Sequence, residues 1–246
     1  MEGLTWLIER PIAHRGLHGN GLVENTLGAA AAAVTANYGI EVDLQLSADG
    51  EVMVFHDTTL DRVTKSSGPF AAKSLAELKE VEFRDCAERI PTLQELLDTV
   101  AGRTPLILEL KSEGDGDTRL PARVAQIVAG YAGPVAAMSF DPRMVIALRK
   151  FAPGLPRGIV AERYYDDPEW KGLTAAQKFQ LGNLLHIPKT SPHFVAYYIR
   201  ELPAIAPLFA RYVLGMKLLT WTVRSESDRK RANRWANQMI FEGLRP

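Results

Sequence analysis

Eight short apolar runs, all but the last followed by a pattern typical of a helix, alternate along almost the whole chain. They begin at Pro11, Gly39, Pro105, Val135, Gly158, Leu184, Lys217 and Gln238. Strands that alternate with helices favour a parallel sheet, because each helix returns the chain to the same edge. Eight such units predict an α/β fold, a (β/α)8 TIM barrel, in which the carboxyl ends of the strands form a single face.

Residues 57–91 interrupt this alternation, since Thr, Ser and Gly residues and then charged residues replace the apolar runs. We interpret them as a small insertion after the hairpin of the second strand, whose turn is predicted at Asp49 and Gly50. A chain of 246 residues has the usual length of one barrel, and no internal repeat or linker marks a second unit. Residues 1–246 are therefore predicted to form a single domain.

Three further predictions depend on short local patterns. Asn25 is expected to cap the first helix, because asparagine is a preferred N-cap residue. A Thr-x-x-Glu spacing predicts a capping box and a helix over residues 93–100. The apolar residues 184–187 are predicted to form the sixth strand, with a helix over residues 191–201 after it.

Carboxylates stand in two otherwise apolar strand patterns. Side chains alternate along a strand, so Glu41 and Asp43 share one face while their apolar neighbours take the other. The next barrel strand places Glu109 and Lys111 together in the same way. Buried carboxylates are costly without a cation, and oxygen ligands suit hard cations such as Mg²⁺ or Ca²⁺. The two strands therefore predict a metal site beside an anion site.

Other polar residues follow strands at the end where TIM barrels carry their active sites. His14 and Arg15 follow the first strand, and His56 follows the hairpin. A lone histidine is usually structural or solvated, but histidines, acids and cations together at independent strand ends suit phosphate-ester chemistry. In such chemistry a metal ion and cationic side chains hold phosphate oxygens while imidazoles transfer protons.

The same residues belong to motifs that span nearly the whole chain. The motifs are His14-Arg15-Gly16, Glu24-Asn25-Thr26, Glu41-x-Asp43, Asp49-Gly50, His56-Asp57, Glu109-x-Lys111, Ser139-Phe140-Asp141 and Trp221-Thr222-Val223. Together they closely resemble the motifs of glycerophosphodiester phosphodiesterases. The resemblance implies a (β/α)8 barrel with a small insertion, a bound Mg²⁺ or Ca²⁺, and release of sn-glycerol 3-phosphate and an alcohol from glycerophosphodiesters.

The resemblance also implies a role for each matching residue. The implied roles are metal binding for Glu41, Asp43 and Glu109, proton transfer for His14 and His56, phosphate binding for Arg15 and Lys111, a glycerol-pocket wall for Trp221, and a polar group near the metal for Asn25. One histidine would accept a proton from the nucleophile, and the other would protonate the departing alkoxide. The nucleophile stays open between water and the adjacent glycerol hydroxyl.

Two positions depart from the pattern of that family. Glu242 ends the last apolar run where Ile-Thr-Asp is usual, and Arg224 replaces the asparagine that usually follows Trp-Thr-Val. We interpret Arg224 as a solvated loop residue, with an added anion contact as the alternative. Neither change removes a metal-binding or proton-transfer residue. We therefore expect the two changes to affect the choice of substrate and not the presence of activity.

The aromatic-rich segment 163–213 leaves the size of the substrate open. Its side chains are expected to pack among the outer helices, which favours water-soluble glycerophosphodiesters. A lid for acyl chains is the alternative, and it would indicate a lysophospholipase D. A non-catalytic binding module of the same fold is a third hypothesis, disfavoured because both histidines and all three acids are present.

Charge and hydropathy limit the expected partners. The chain has 29 basic and 29 acidic residues, so no global field would attract nucleic acid. Residues 1–25 include charges and no long apolar run, so neither a signal peptide nor stable membrane insertion is expected. The prediction is a cytoplasmic enzyme whose partner is a small-molecule substrate. The sequence does not indicate an oligomeric state.

Overall fold

One sheet organises the chain: eight parallel strands close into a barrel, and one antiparallel strand extends it. The computed structural model describes residues 3–166 and 170–246. The strands are β1 (Ile12–Ala13), β2 (Gly39–Leu46), β3 (Val52–Val54), β4 (Leu106–Leu110), β5 (Val135–Ser139), β6 (Arg157–Ala161), β7 (Phe194–Tyr198), β8 (Lys217–Val223) and β9 (Gln238–Phe241). Pairing of β1 with both β2 and β9 closes the barrel and confirms the predicted (β/α)8 fold.

Helices surround the barrel in the described ranges. They are α1 (Leu27–Thr35), α2 (Leu75–Glu80), α3 (Leu93–Val100), α4 (Arg119–Val128), α5 (Pro142–Phe151), α6 (Ala175–Gly182), α7 (Ile187–Thr190), α8 (Ile205–Tyr212) and α9 (Glu226–Trp235). None of these described helices is both long enough and apolar enough to cross a membrane.

Alternation along the strands divides the barrel core into an outer and an inner layer. On β2, Ile40, Val42 and Leu44 belong to the outer layer, which packs against the helices. Fully burying each such side chain contributes roughly 1.5–3 kcal/mol to folding. The inner layer includes Ile12 of β1 and Ile107 of β4. Because the apolar side chains of β2 point outward, its carboxylates point into the barrel, as predicted.

The predicted helix cap is confirmed at α3, whereas at α1 a different residue caps the helix. The capping box at Thr92 is present, and α3 has the predicted bounds. The predicted cap at Asn25 is wrong, because Thr26 caps α1 by accepting a hydrogen bond from the backbone N of Ala29. Asn25 instead adopts φ 57° and donates its side-chain amide to Asp43. A polar residue before a helix can cap that helix or form a hydrogen bond with another element, and its sequence context does not distinguish the two.

The insertion after β3 has its own small core. Its buried apolar residues form a cluster separate from the two barrel layers, in which the rings of Phe55 and Phe70 stack with centroids 4.9 Å apart. α2 lies within it and begins at a capping box of Ser74 and Glu77. Phe55 and Leu60 belong to this cluster, which therefore anchors the chain on both sides of His56.

The predicted strand over residues 184–187 is wrong, as is the predicted helix over residues 191–201. The barrel strand at this position is β7, which pairs with β6 and β8. Residues 184–186 form a turn, and Ile187 begins α7. A short apolar run does not distinguish a strand from a helical turn, whereas the aromatic and β-branched residues of β7 suit a buried strand.

The aromatic segment divides into buried and exposed side chains. Tyr165, Phe194 and Tyr197 are almost fully buried, which agrees with the expected packing. The expectation is wrong for four others, which are more than half exposed: Tyr164, Phe179, Phe209 and Tyr212. Phe194 and Tyr197 lie in β7, whereas the exposed residues lie in a loop, in α6 and in α8. The sequence pattern did not separate the two groups, because it predicted a helix over residues 191–201.

Replacing Tyr197 with alanine is expected to lower the free energy of unfolding by about 3–5 kcal/mol, because a large cavity would remain. Tyr197 is 1% exposed, and its hydroxyl donates to the carbonyl of Gly182 at 2.9 Å. Phe209 is 51% exposed and serves as the matched control, with an expected change within about 1 kcal/mol. Urea denaturation measures both, and equal losses would contradict this assignment of the core.

Candidate active site

A sharp turn after β1 directs the backbone towards the acids of β2. Arg15 has φ 55° and Gly16 has φ 80°, both in the left-handed region. A Cβ atom on Gly16 would lie 2.8 Å from the Cβ of Ala29, so only glycine fits against α1 here. The turn allows the backbone N of Arg15 to donate to Glu41 Oε2 at 3.1 Å.

Three buried carboxylates converge inside the barrel at the carboxyl ends of β2 and β4. The parallel pairing places Asp43 beside Glu109, with Glu41 two residues earlier on the same face. One oxygen from each of the three lies within 4.8 Å of the others. The structure thus brings together the three acids that the sequence predicts.

The charges of these acids are only partly compensated by neighbouring groups. Burial, reinforced by the charges of Asp43 and Glu109, raises the pKa of Glu41 well above its usual value. Within the described ranges, Glu41 Oε1 is buried and has no hydrogen-bond partner. An unpartnered oxygen beside two further carboxylates is the donor set of a hard divalent cation, so the residues fit Mg²⁺ or Ca²⁺.

Two cationic side chains and an amide stabilise Asp43. Lys111 Nζ lies 2.9 Å from Asp43 Oδ1 and 2.7 Å from Glu109 Oε1, and Arg15 Nε lies 3.2 Å from Asp43 Oδ2. Burial works to raise the pKa of Asp43, but Lys111 and Arg15 outweigh it and hold that pKa far below its usual range. Asn25 Nδ2 donates to Asp43 Oδ2 at 2.9 Å. Asn25 therefore lies beside the acid cluster, where the family resemblance implies a polar group.

His14 follows β1 and contacts Glu242, the residue that follows β9. Its Nδ1 lies 2.8 Å from Glu242 Oε2, while its Nε2 lies 3.9 Å from Glu41 Oε2. Burial lowers the pKa of His14, and the contact with Glu242 opposes that effect only in part. The hydrogen bond from His14, assisted by Arg224, holds the pKa of Glu242 far below its usual range. The carboxylate of Glu242 therefore accepts this hydrogen bond, and His14 Nδ1 donates it.

His56 is held in a similar way, through a chain of ion pairs that ends at Arg15. Its Nδ1 lies 2.7 Å from Asp57 Oδ1. Arg62 of the insertion donates to both oxygens of Asp57, at 2.6 and 2.9 Å, and to both oxygens of Glu24, at 2.6 and 2.9 Å. Glu24 Oε1 in turn accepts from Arg15 at 2.7 Å. Arg62 thus connects the orientation of the His56 imidazole with that of the Arg15 guanidinium.

Aromatic rings cover another side of the barrel mouth. Trp221 of β8 packs against Phe140 after β5 and Tyr198 at the end of β7, with ring centroids 5.3 and 5.2 Å apart. The indole Nε1 of Trp221 donates to the carbonyl of Ala196 at 3.2 Å, which fixes the ring. The mouth therefore combines an acidic and cationic side, at β1, β2 and β4, with an aromatic side.

Four residues of the site have no role in the sequence-based assignment. They are Glu24, Asp57, Arg62 and Glu242. Glu24 and Asp57 belong to motifs quoted above, and Glu242 follows a barrel strand, so position along the chain was an available signal. Arg62 gave no such signal, because an arginine in a polar insertion looks like an ordinary solvated residue.

Comparisons with known proteins agree on one family. The model of the glycerophosphoryl diester phosphodiesterase family matches residues 14–244. A glycerophosphodiester phosphodiesterase of Caldanaerobacter subterraneus subsp. tengcongensis is 27% identical over 237 residues, which cover 89% of this chain and 88% of that protein.

Solved structures show the same fold. The structure of an Oleispira antarctica phosphodiesterase in complex with the product sn-glycerol-3-phosphate has a TM-score of 0.80 at 23% identity, over 96% of this chain and 93% of that one. A glycerophosphodiester phosphodiesterase from Thermotoga maritima has a TM-score of 0.72 at 22% identity, over 95% of this chain and 94% of that one.

Proposed function

Because this chain belongs to the glycerophosphoryl diester phosphodiesterase family, a family of phosphoric diester hydrolases, we propose that it hydrolyses glycerophosphodiesters to sn-glycerol 3-phosphate and an alcohol. We further propose that the reaction requires a divalent metal ion and uses His14 and His56 as its acid-base pair. One observation supports this most strongly: both imidazoles hold Nδ1 against a carboxylate beside a buried group of three acids.

The histidines supply proton transfer at defined atoms. With Nδ1 donating to Glu242 or Asp57, each ring keeps Nε2 for exchange with the substrate. Hydrolysis of a diester requires one proton to leave the nucleophile and one to reach the departing alkoxide. Two imidazoles can divide these transfers without a covalent enzyme intermediate.

The cationic residues would hold the phosphoryl group. Asp43 and Glu109 outweigh the effect of burial and raise the pKa of Lys111, and Asp43 and Glu24 do the same for Arg15, so both remain charged. A bound divalent cation, held by the three acids, would stabilise negative charge on the phosphoryl oxygens as a Lewis acid. The rings around Trp221 offer a flat apolar wall for the glycerol moiety.

A direct assay tests the function. Release of glycerol 3-phosphate from glycerophosphocholine is measured with EDTA, and then with added Mg²⁺ or Ca²⁺. Activity that depends on the added ion is expected, and absence of product under all conditions would refute the proposal. Lysophosphatidylcholine is assayed in parallel, and a preference for it above tenfold in kcat/KM would favour a lysophospholipase D. The cytoplasmic location stays a prediction.

Replacing Arg62 with alanine is expected to lower kcat/KM by about 10- to 100-fold, the range found for residues that orient functional groups through hydrogen bonds. Arg62 is 49% exposed, so the free energy of unfolding should change by no more than about 1 kcal/mol. Arg89→Ala is the matched control, since Arg89 lies in the same insertion and pairs with Glu82 at 3.3 Å. Equal kinetics of the two variants would show that the bridge to Asp57 and Glu24 has no catalytic role.

A further inference from the structure

One carboxylate oxygen, Oε2 of Glu242, contacts the residues that follow β1 and β8. Glu242 Oε2 lies 2.8 Å from His14 Nδ1 and accepts a hydrogen bond from a terminal nitrogen of Arg224 at 2.8 Å. β1 and β9 pair in parallel with Ala13 opposite Phe241, so the next residues, His14 and Glu242, leave the sheet side by side. The backbone N of Glu242 also donates to the carbonyl of Val223 at the end of β8, at 3.0 Å.

This contact determines which ring nitrogen carries the proton. An ionised carboxylate only accepts hydrogen bonds, so His14 Nδ1 must be the donor. In the neutral ring, Nε2 is then the acceptor, and it lies on the side of Glu41, 3.9 Å from its Oε2. The opposite tautomer would place a lone pair of Nδ1 against the lone pairs of Glu242, which is unfavourable.

The role of Arg224 follows from its place in the same contact. Its side chain is 54% exposed, but it reaches back to the oxygen that His14 uses. Without it, the carboxylate of Glu242 could rotate or turn towards solvent, since that side chain is itself one-quarter exposed. The two positions that depart from the pattern of the resembled family are therefore partners in one contact. Arg224 is a half-exposed loop residue, as interpreted from the sequence, and it also pairs with Glu242.

We propose that Glu242 and Arg224 are positioning residues for His14: Glu242 fixes the ring and its Nδ1–H tautomer, and Arg224 fixes the carboxylate of Glu242. The inference rests on the proposed function, in which His14 transfers a proton. It goes beyond that function because neither residue needs to contact the substrate or a metal ion.

Glu242→Gln is the decisive variant, because the amide can donate to His14 Nδ1 and stabilise the opposite tautomer. The ¹⁵N chemical shifts of the His14 imidazole report the tautomer directly, whether or not the protein turns over substrate. We expect the Nδ1–H form in the wild type and the Nε2–H form in Glu242→Gln. We also expect kcat to fall by about 10²- to 10⁴-fold with KM within about threefold, as for other histidines held in the wrong tautomer. Glu242→Asp, which keeps the charge, should recover part of the loss.

Arg224→Ala should lower kcat by about 3- to 30-fold in the wild type and have no further effect in the Glu242→Gln background, because the two act through one contact. Glu226→Gln and Arg229→Ala are matched controls. These residues form an ion pair of 2.8 Å on α9 that touches no histidine, and both variants should behave as wild type.

Two results would overturn the proposal. One is an unchanged Nδ1–H tautomer in Glu242→Gln with kcat within threefold of wild type. The other is equal and additive losses for Arg224→Ala in both backgrounds. If the wild type itself releases no glycerol 3-phosphate, the proposed function fails, whereas the ¹⁵N measurement still decides whether Glu242 fixes the imidazole.

Discussion

Replacing His14 or His56 with alanine is expected to lower kcat by about 10²- to 10⁴-fold, the usual contribution of a general acid or base. Each imidazole holds Nδ1 against its own carboxylate, so the two rings occupy separate places and cannot substitute for one another. The three acids that would hold the metal are unchanged in both variants. Affinity for Mg²⁺ or Ca²⁺, measured by calorimetric titration, should therefore stay near that of the wild type.

The double variant and a third histidine sharpen this test. The losses of the two single variants should not add, because both rings serve one reaction. His193→Ala is the control, since His193 lies before β7 at the opposite end of the barrel and accepts a hydrogen bond from the backbone N of Arg157 at 3.1 Å. If His14→Ala or His56→Ala kept near wild-type turnover, its assigned role would be wrong.

The barrel and the group of acids could be predicted because both depend on short, repeated rules. Strand alternation alone places Glu41 and Asp43 on the inner face of β2 once their apolar neighbours are assigned to the outer one. The parallel arrangement then brings the end of β4 beside them, so Glu109 and Lys111 follow from the same rule. No long-range information was needed for this part of the site.

The sixth parallel strand was misplaced because local pattern competes with pairing. Residues 184–187 are as apolar as a short strand, but Leu184 has φ 56°, which a strand does not allow. β7 is stabilised instead by two neighbouring strands, β6 and β8, neither of which is local in sequence. Such pairing overrides the helical pattern that residues 191–201 display.

The orienting residues could not be assigned from sequence because their function lies in distant contacts. Glu242 is 228 positions from His14, and Arg62 is 38 positions from Glu24. Each contact requires a closed barrel or a folded insertion before the partners meet. In the sequence, the position of Glu242 after an apolar run does not identify its partner, and Arg62 looks like one of the many solvated charges of a chain in which 24% of residues are charged.

Replacing Glu41 with glutamine is expected to abolish binding of the divalent cation and to lower activity at least 100-fold. Gln keeps the shape of the side chain and can still accept the hydrogen bond from the backbone N of Arg15, so the local fold should persist. It removes one of the three oxygen anions that lie within 4.8 Å of one another. A hard cation depends on that charge, because a neutral amide oxygen is a weaker ligand.

Stability measurements separate the loss of metal binding from misfolding. A ligand at 100 times its Kd stabilises the native state by about 2.7 kcal/mol, so added Mg²⁺ or Ca²⁺ should raise the Tm of the wild type. The Tm of Glu41→Gln should not respond to the ion. Glu51→Gln is the matched control, because Glu51 of the β2–β3 hairpin pairs with Arg123 of α4 at 3.0 Å. The response of its Tm to the ion should equal that of the wild type.

Without metal, the wild type should be no more stable than the Glu41→Gln variant. In the wild type, Glu41 is buried beside two other carboxylates, and one of its oxygens has no hydrogen-bond partner in the described structure. A buried charge of this kind is costly without a cation, so in EDTA at neutral pH the Glu41→Gln variant should be at least as stable as the wild type. Such a variant, equal in stability without metal and unresponsive with it, would identify Glu41 as a ligand. A Tm that rises with metal as in the wild type would exclude it.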